Sequence, residues 1–397
     1  MIGYCRAKRL NLMSQDIALY IHFPFCRRRC SYCSFVSYQG RESDIPDYVN
    51  ALEKELALRT DGQKVHSIYF GGGTPSLLSP QHIHDMLHTI HSLFAVDEAS
   101  EVTLEANPST VDEIYLTAVR KAGVNRLSLG VQSLVDGELA LLGRIHTASE
   151  ARDAVQFARI AGFTNLSLDL IYGLPGQTIA SWREALEEVI ELGPEHISLY
   201  PLTLEDDAPL RTAIQRREIP PIDPDLTADQ YELAQDTLAA HGYLHYEISN
   251  WARDGYKCKH NMVYWHNLPY LGIGVAAHSY IHGHRLANTT DLDSYLNAFS
   301  HNLPPAWELD EDIEPELELS ETVILGLRLS EGLCLENIRS RFGIDLLKHY
   351  GQQVDEAAGF GLLEYTDKRI RLTRQGRLLG NEVFWRFLPN KTVGADP

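Results

Sequence analysis

Nowhere in its 397 residues does the chain hold an apolar run long enough to cross a bilayer, a passage that takes about 20 consecutive apolar residues in a helix. A membrane-spanning protein is therefore not expected. Cysteine is scarce: three of the six sit in one short stretch, and Cys5, Cys258 and Cys334 are scattered. That distribution is no disulfide framework and suits a reducing compartment. Arg6, Lys8 and Arg9 lie near the start, but no apolar segment with a small-residue cleavage site follows. No secretory signal is expected, and the cytoplasm is the expected location. Basic charge is also short: 35 Lys and Arg against 54 Asp and Glu leave a net −19, which opposes binding to nucleic-acid phosphates. Neither a Gly-Lys-Thr P-loop nor a G-x-G-x-x-G dinucleotide fingerprint is present.

What is there begins with alternation. Short apolar runs at Ile17–Phe23, His66–Phe70, Glu101–Ala106, Arg126–Val131, Asn165–Ile171 and His196–Tyr200 read as strands. Amphipathic stretches at Pro46–Arg59, Pro80–Phe94, Asp112–Ala122, Ser149–Ala161 and Ile179–Leu192 read as the helices between them. Strand–helix alternation means βαβ units and a parallel sheet, either an open doubly wound sheet or a partial barrel. Both place reactive groups at the C-terminal ends of the strands. Cys26, Gly71-Gly72-Gly73-Thr74, Glu105, Gln132 and Asp169 all follow or end such strands, so they fall on one rim.

After Tyr200 the rhythm breaks. A Pro-rich charged stretch leads to a helix near Leu226–His241 and a strand at Tyr243–Ile248, and Asn302–Leu319 reads as an acidic linker. Helices at Glu321–Leu329, Leu335–Phe342 and Leu346–Phe360, then a hairpin of Leu362–Tyr365 with Ile370–Thr373, follow the order of a winged helix. The expected units are 1–205, 206–310 and 311–397. The last carries a basic wing (Lys368, Arg369, Arg371, Arg374, Arg377) but holds 15 acidic against 11 basic residues, so it is read as a lid or a partner-docking surface rather than a DNA reader.

Cys26, Cys30 and Cys33 form C-x3-C-x2-C directly after the first strand. Three thiolates at this spacing hold three irons of a [4Fe–4S] cube and leave the fourth iron free to chelate a small molecule. The alternative is structural zinc with His22 or a distant cysteine as fourth ligand, although no second C-x2-C or H-x3-H follows at zinc-finger spacing. The Gly71–Gly73 turn is expected to let backbone N–H groups approach an anion, with a helix N-terminus near Ser79 adding positive potential.

Together these residues resemble the radical S-adenosylmethionine (SAM) superfamily, in which SAM chelates the open iron. Tyr20-Ile-His-Phe-Pro-Phe-Cys26, Gly71–Ser76, Ser128-Leu-Gly-Val-Gln-Ser133, Leu142-Gly-Arg-Ile-His146 and Leu168-Asp-Leu-Ile-Tyr-Gly-Leu-Pro-Gly176 narrow the likeness. They are similar to the oxygen-independent coproporphyrinogen III oxidases and to their relatives, the HemW-type heme chaperones. The resemblance runs over essentially the whole chain and implies a partial (β/α)6 radical SAM barrel with a C-terminal winged-helix-like α+β domain. Carried over position by position, it implies SAM contacts at Tyr20, Tyr32, Gly72, Gly73, Thr74, Glu105, Gln132, Arg144 and Asp169.

Two departures separate the branches. The oxidase pattern continues to a fourth cysteine two residues after the third, where this chain has Phe35. The chain also carries Cys258-Lys-His260-Asn-Met-Val-Tyr-Trp265, which matches the H-N-x-x-Y-W motif of the chaperone branch. The resemblance implies heme contact through Cys258, His260, Asn261, Tyr264 and Trp265; a packed aromatic patch around a hydrogen-bonded histidine is the competing reading. In Tyr270–Tyr280 small residues are expected near the cofactor cavity, with His278 structural. The resemblance thus implies a heme carrier with a [4Fe–4S] cluster, SAM and heme. Its expected partners are a low-potential electron donor and an apo-hemoprotein acceptor at the membrane, and a homodimer is compatible with it. The alternative is oxidative decarboxylation of coproporphyrinogen III, or radical SAM chemistry on another tetrapyrrole, with the same cluster.

Overall fold

The computed structural model describes residues 16–281 and 283–389; Cys5, Arg6, Lys8 and Arg9 lie outside the described residues. The six expected strands form: β1 (Ile17–Phe23), β2 (Lys64–Gly72), β3 (Ala95–Ala106), β4 (Arg126–Gln132), β5 (Leu166–Tyr172) and β6 (His196–Pro201). Between them run α1 (Ile45–Arg59), α2 (Pro80–Leu93), α3 (Glu113–Ala122), α4 (Ala148–Ile160) and α5 (Ile179–Glu191). Local chemistry sets their starts. Asp112 accepts from the Tyr115 N–H, Thr147 and Glu150 form a reciprocal capping box, and Pro46 or Pro80 stands in the first turn.

Each strand lies parallel beside its predecessor, in the order β1-β2-β3-β4-β5-β6. A doubly wound sheet must reverse that order at a switch point. Sequential addition with right-handed crossovers instead keeps all the helices on one face and curls the sheet into a partial barrel. Apolar side chains fill the layer between strands and helices, from Leu19, Ile21 and Phe70 to Leu168 and Trp182. The inward positions are polar, which the strand-long alternation Arg126, Ser128, Gly130, Gln132 illustrates.

The barrel stays open, and the chain extends both margins. After α6 (Pro224–Ala240), β7 (Leu244–Glu247) and β8 (Asn250–Ala252) add antiparallel beyond β6. The chain then crosses through α7 (Lys259–Trp265) to β9 (Tyr270–Ile273), which pairs parallel with β1 on the opposite margin. β10 (His278–Ile281), β11 (His284–Asn288), α8 (Leu292–Ser300) and β12 (Trp307–Asp312) complete that side. One connection therefore joins the two margins of the sheet.

β12 corrects the expected linker: Trp307–Asp312 pairs antiparallel with β11, and α9 (Pro315–Leu327) already begins at Pro315. The strand shows carboxylates on both faces because it is an edge, where charge discourages further pairing. The expected helix Leu346–Phe360 is also corrected, since it breaks at Tyr350 into Leu346–His349 and Gly351–Gly359. The C-terminal module has its own core around Val323, Ile338, Val354, Ile370 and Phe387. A three-stranded wing of Leu333–Cys334, Arg369–Leu372 and Leu363–Tyr365 accompanies its helices. The module docks on the β7–α7 region, where Ile248 N–H donates to the Arg328 carbonyl and Ser330 N–H to that of Tyr246.

Candidate functional site

The loop from Pro24 to Gln39 leaves β1 and is anchored at three points. Phe25–Cys26 pairs with Tyr38–Gln39. Ser31 bonds the carbonyls of Leu141 and Leu142 and accepts from Leu210 N–H. Cys33 N–H turns back onto the Cys30 carbonyl. All three thiols consequently line one wall of a cavity of about 450 Å³ at the C-terminal ends of the strands. Thr74 Oγ1 donates to Cys26 Sγ at 3.5 Å and Arg144 Nη1 to Cys30 Sγ at 3.5 Å. Burial pushes the Cys26 and Cys33 thiols up, and the Thr74 hydroxyl partly offsets this at Cys26.

The donor set suits a cube. The cavity lining holds three thiols and, among the described residues, no histidine or fourth cysteine that would complete a tetrahedral zinc site. His22, the candidate fourth zinc ligand, is taken on both nitrogens, by Tyr20 Oη (3.1 Å) and the Val36 carbonyl (3.3 Å). Neither Cys258 nor Cys334 reaches the lining, and Phe35, 64 % exposed, stands at the mouth where a fourth cysteine would be.

Beside and beyond the thiols the lining contains Tyr32, Gly72, Gly73, Thr74, Glu105, Gln132, Arg144 and Asp169. These eight positions from the sequence reading meet in one cavity. Glu105 accepts from Tyr69 Oη (2.8 Å) and Gly72 N–H (3.2 Å). Burial, more than the neighbouring Asp169, raises its pKa to about 7 despite the Tyr69 hydrogen bond. Asp169 accepts from Ser128 (3.0 Å) and Ser167 (3.1 Å), and burial raises its pKa too. Arg144 is fixed by the Gly130 carbonyl at 2.7 Å. Gln132 holds φ at +67°, a left-handed backbone that is costly for a side chain with a Cβ and that clusters at functional sites.

One expectation at this rim needs correction, and one expected contact stands outside the lining. The glycine turn does not offer its amides to an anion, because Gly72 N–H is spent on Glu105 and Gly73 N–H on the Phe23 carbonyl at 2.8 Å. The glycines serve packing: a Cβ on Gly72 would come within 2.8 Å of the His22 ring, and one on Gly73 within 2.8 Å of the Phe25 carbonyl and 3.0 Å of Cys26 Sγ. Tyr20 is outside the lining; it stands behind Gly71, stacked on Tyr69.

The H-N-x-x-Y-W segment lies at the other end of the barrel. α7 plugs the N-terminal ends of the strands, and Glu101 accepts from Cys258 Sγ (3.5 Å) and the N–H groups of Lys259 and His260 (3.2 Å each). His260, 1 % exposed, is engaged by Ser67 Oγ at Nδ1 (3.0 Å) and by Tyr264 Oη at Nε2 (2.9 Å). Burial lowers its pKa to about 3, so the ring is neutral. Trp265 is covered by the Arg328 guanidinium, 4.3 Å from its ring centroid. Of the five expected heme contacts only Asn261 lines the cavity. Cys258 and His260 have no ligating atom free, so the packed, hydrogen-bonded reading describes their present state. Sequence reasoning missed Arg126, which also lines the cavity from the start of β4; its signal was the inward alternation of that strand.

Comparison with known proteins gives a consistent assignment. The radical SAM superfamily model matches residues 20–211 and the HemN C-terminal domain model residues 313–379. The heme chaperone HemW of Lactococcus lactis is 35 % identical over 95 % of this chain and 98 % of its own length. That of Bacillus subtilis is 35 % identical over 93 % and 98 %. A mouse mitochondrial radical S-adenosyl methionine domain-containing protein 1 is 36 % identical over 95 % and 88 %. Among solved structures, coproporphyrinogen III oxidase (HemN) from Escherichia coli superposes with a TM-score of 0.82 at 25 % identity, over 94 % of this chain and 90 % of that one.

Proposed function

Since the chain belongs to the HemW family within the radical SAM superfamily, we propose that it is a heme chaperone that binds heme and passes it to an apo-hemoprotein. One observation carries the reading. The cluster loop presents three thiols and the exposed Phe35 at the cavity mouth, in a chain matched nearly end to end by proteins named as heme chaperones. On this reading Cys26, Cys30 and Cys33 hold a [4Fe–4S] cluster whose fourth iron takes SAM. Such a cluster, when reduced by a low-potential donor, supplies one-electron cleavage of the SAM sulfonium.

The protein's own residues bind and orient. Arg144, pinned at the Gly130 carbonyl, presents a cation to the carboxylate of SAM. Glu105 takes the ammonium, and because its pKa stands at about 7, an arriving cation favours loss of its proton. Asp169, held by two serines, faces the ribose hydroxyls, and Tyr32 flanks the adenine. The apolar cluster of Leu142, Ile171, Leu174, Leu202 and Leu210 under Tyr32 keeps water from that side. Heme is assigned to the α7 region through Asn261, Tyr264 and Trp265. Axial ligation by Cys258 or His260 would first require release of the hydrogen bonds that now hold them. The unit divisions 1–205, 206–310 and 311–397 follow these roles, with cytoplasmic delivery to an acceptor at the membrane.

The oxidase reading keeps one specific support, the TM-score of 0.82 to coproporphyrinogen III oxidase. The two separate in one experiment on the full chain, reconstituted anaerobically with iron and sulfide and supplied with SAM and a reductant. Stoichiometric heme binding, transfer to an apo-hemoprotein and no decarboxylation of coproporphyrinogen III are expected. Turnover of coproporphyrinogen III to protoporphyrinogen would sink the chaperone.

A further inference from the structure

Arg126 is a buried cation without a partner. Its side chain is 2 % exposed and lines the floor of the cavity. Its Nε has no acceptor, and among the described residues none accepts a hydrogen bond from its guanidinium or forms an ion pair with it. Glu101, Glu105, Asp169, Tyr69, Tyr246 and Cys258 surround it only at longer range. Partly buried arginines differ: Arg59 pairs with Glu55 at 3.5 Å and bonds Ser279 at 3.2 Å, and Arg144 bonds the Gly130 carbonyl at 2.7 Å. Five N–H donors facing a cavity, with none satisfied by protein, are ready for an acceptor that arrives from the cavity.

We propose that Arg126 receives a carboxylate group of a ligand held in the barrel, with the amide of Asn261, which lines the same cavity, as a second donor. The planar guanidinium fork matches the two oxygens of a carboxylate. A dianionic phosphate is disfavoured because Glu105 and Asp169 line the same cavity and would repel the second charge. The carboxylate of SAM does not reach this site. It is assigned to Arg144, which bonds Gly130, and Gly130 lies four residues along β4 from Arg126, about 13 Å at about 3.3 Å per residue. The ligand is therefore a second molecule, or a flexible arm of one. A propionate arm of a tetrapyrrole has the required chemistry, an identification that rests on the heme reading; a free short-chain carboxylic acid shares it.

The test uses the full chain and its Arg126→Gln and Arg126→Lys variants, titrated with heme, with heme dimethyl ester (whose propionates are capped) and with sodium propionate. The parent is expected to prefer heme over the ester about tenfold or more. Arg126→Gln loses that preference by weakening heme alone, and Arg126→Lys restores part of it. Without ligand, Arg126→Gln melts no lower than the parent, because it removes an unpaired charge. An unchanged preference in Arg126→Gln overturns the proposal, as does a ligand-free Arg126→Gln protein that melts well below the parent, since the arginine is then structural. If the parent binds neither heme nor its ester, the chaperone reading falls. Arg126 is then judged by propionate alone: a rise in the parent's melting point absent from Arg126→Gln upholds the carboxylate site, and no rise means that buried water is its only occupant.

Discussion

At the upper rim of the barrel polar groups wait for partners, whereas at its lower end they have found them. The thiols of Cys26 and Cys30 are met at 3.5 Å by the Thr74 hydroxyl and the Arg144 guanidinium, and Glu105 sits near neutral pKa in a cavity. Below, Glu101 takes Cys258, Lys259 and His260 together, and His260 is bonded on both ring nitrogens. Both ends are rich in Cys, His and Glu, so residue type alone does not separate a ligand site from a structural plug. What separates them is how many donors and acceptors the protein itself has already used. By that measure the rim is built to be filled, and Arg126, whose Nε has no acceptor, is a floor residue that follows the rim's rule.

The largest expected effect tests the rim. Cys30→Ser should reduce the iron and sulfide retained after reconstitution to background, while the melting point of the metal-free chain moves by less than about 0.5 kcal/mol equivalent. A loaded Cys30→Ser protein would remove the rim's claim. The floor should behave in the opposite way. His260→Ala strands Ser67 and Tyr264 and opens a void, at a cost of about 2–4 kcal/mol in denaturant unfolding, with normal iron content in the protein that stays folded. If that variant unfolds like the parent but has lost heme, α7 is a ligand site and not a plug.

A smaller effect concerns Glu105. Its folded pKa of about 7 lies above the ordinary carboxylate value of 4.5, so the folded chain keeps a proton that the unfolded chain releases. Stability should therefore fall as pH rises from 4.5 to 7 and level off above, by at most about 3.5 kcal/mol at about 1.4 kcal/mol per pH unit. Glu105→Gln should flatten that slope, gaining on the parent at pH 8 and not at pH 4.5, and should weaken SAM binding; parallel pH curves for the two proteins would refute the assignment. Smallest of all, Phe35→Ser is expected to change stability by no more than about 0.5 kcal/mol, because the ring stands 64 % exposed. A clear loss of heme uptake in that variant would extend the rim's function to its mouth.

Much of the rim was legible in the sequence because it is local. Spacing defines the thiol triplet, and strand ends place Glu105, Gln132 and Asp169. The task of the glycine turn was not legible, since only the folded chain brings the His22 ring, the Phe25 carbonyl and Cys26 against it. The floor depends on long-range pairing: Ser67 meets His260 across 193 positions, and no spacing rule anticipates that. β12 was read as a linker because an edge strand with exposed carboxylates lacks the one-faced apolar pattern by which strands are recognised. Arg126 reads in isolation as a solvated strand flank. Its alternation with Ser128, Gly130 and Gln132 was the available clue, since a strand covered by helices on its outer face can turn its polar positions only inward.

The single connection from β8 through α7 to β9 has a mechanical consequence. It works as a drawstring: it leaves one margin of an unclosed sheet at Ala252 and rejoins the other at Tyr270, so its length limits how far the stave-like strands can spread. Shortening it would cinch the mouth around whatever the thiols hold, and inserting residues would slacken it.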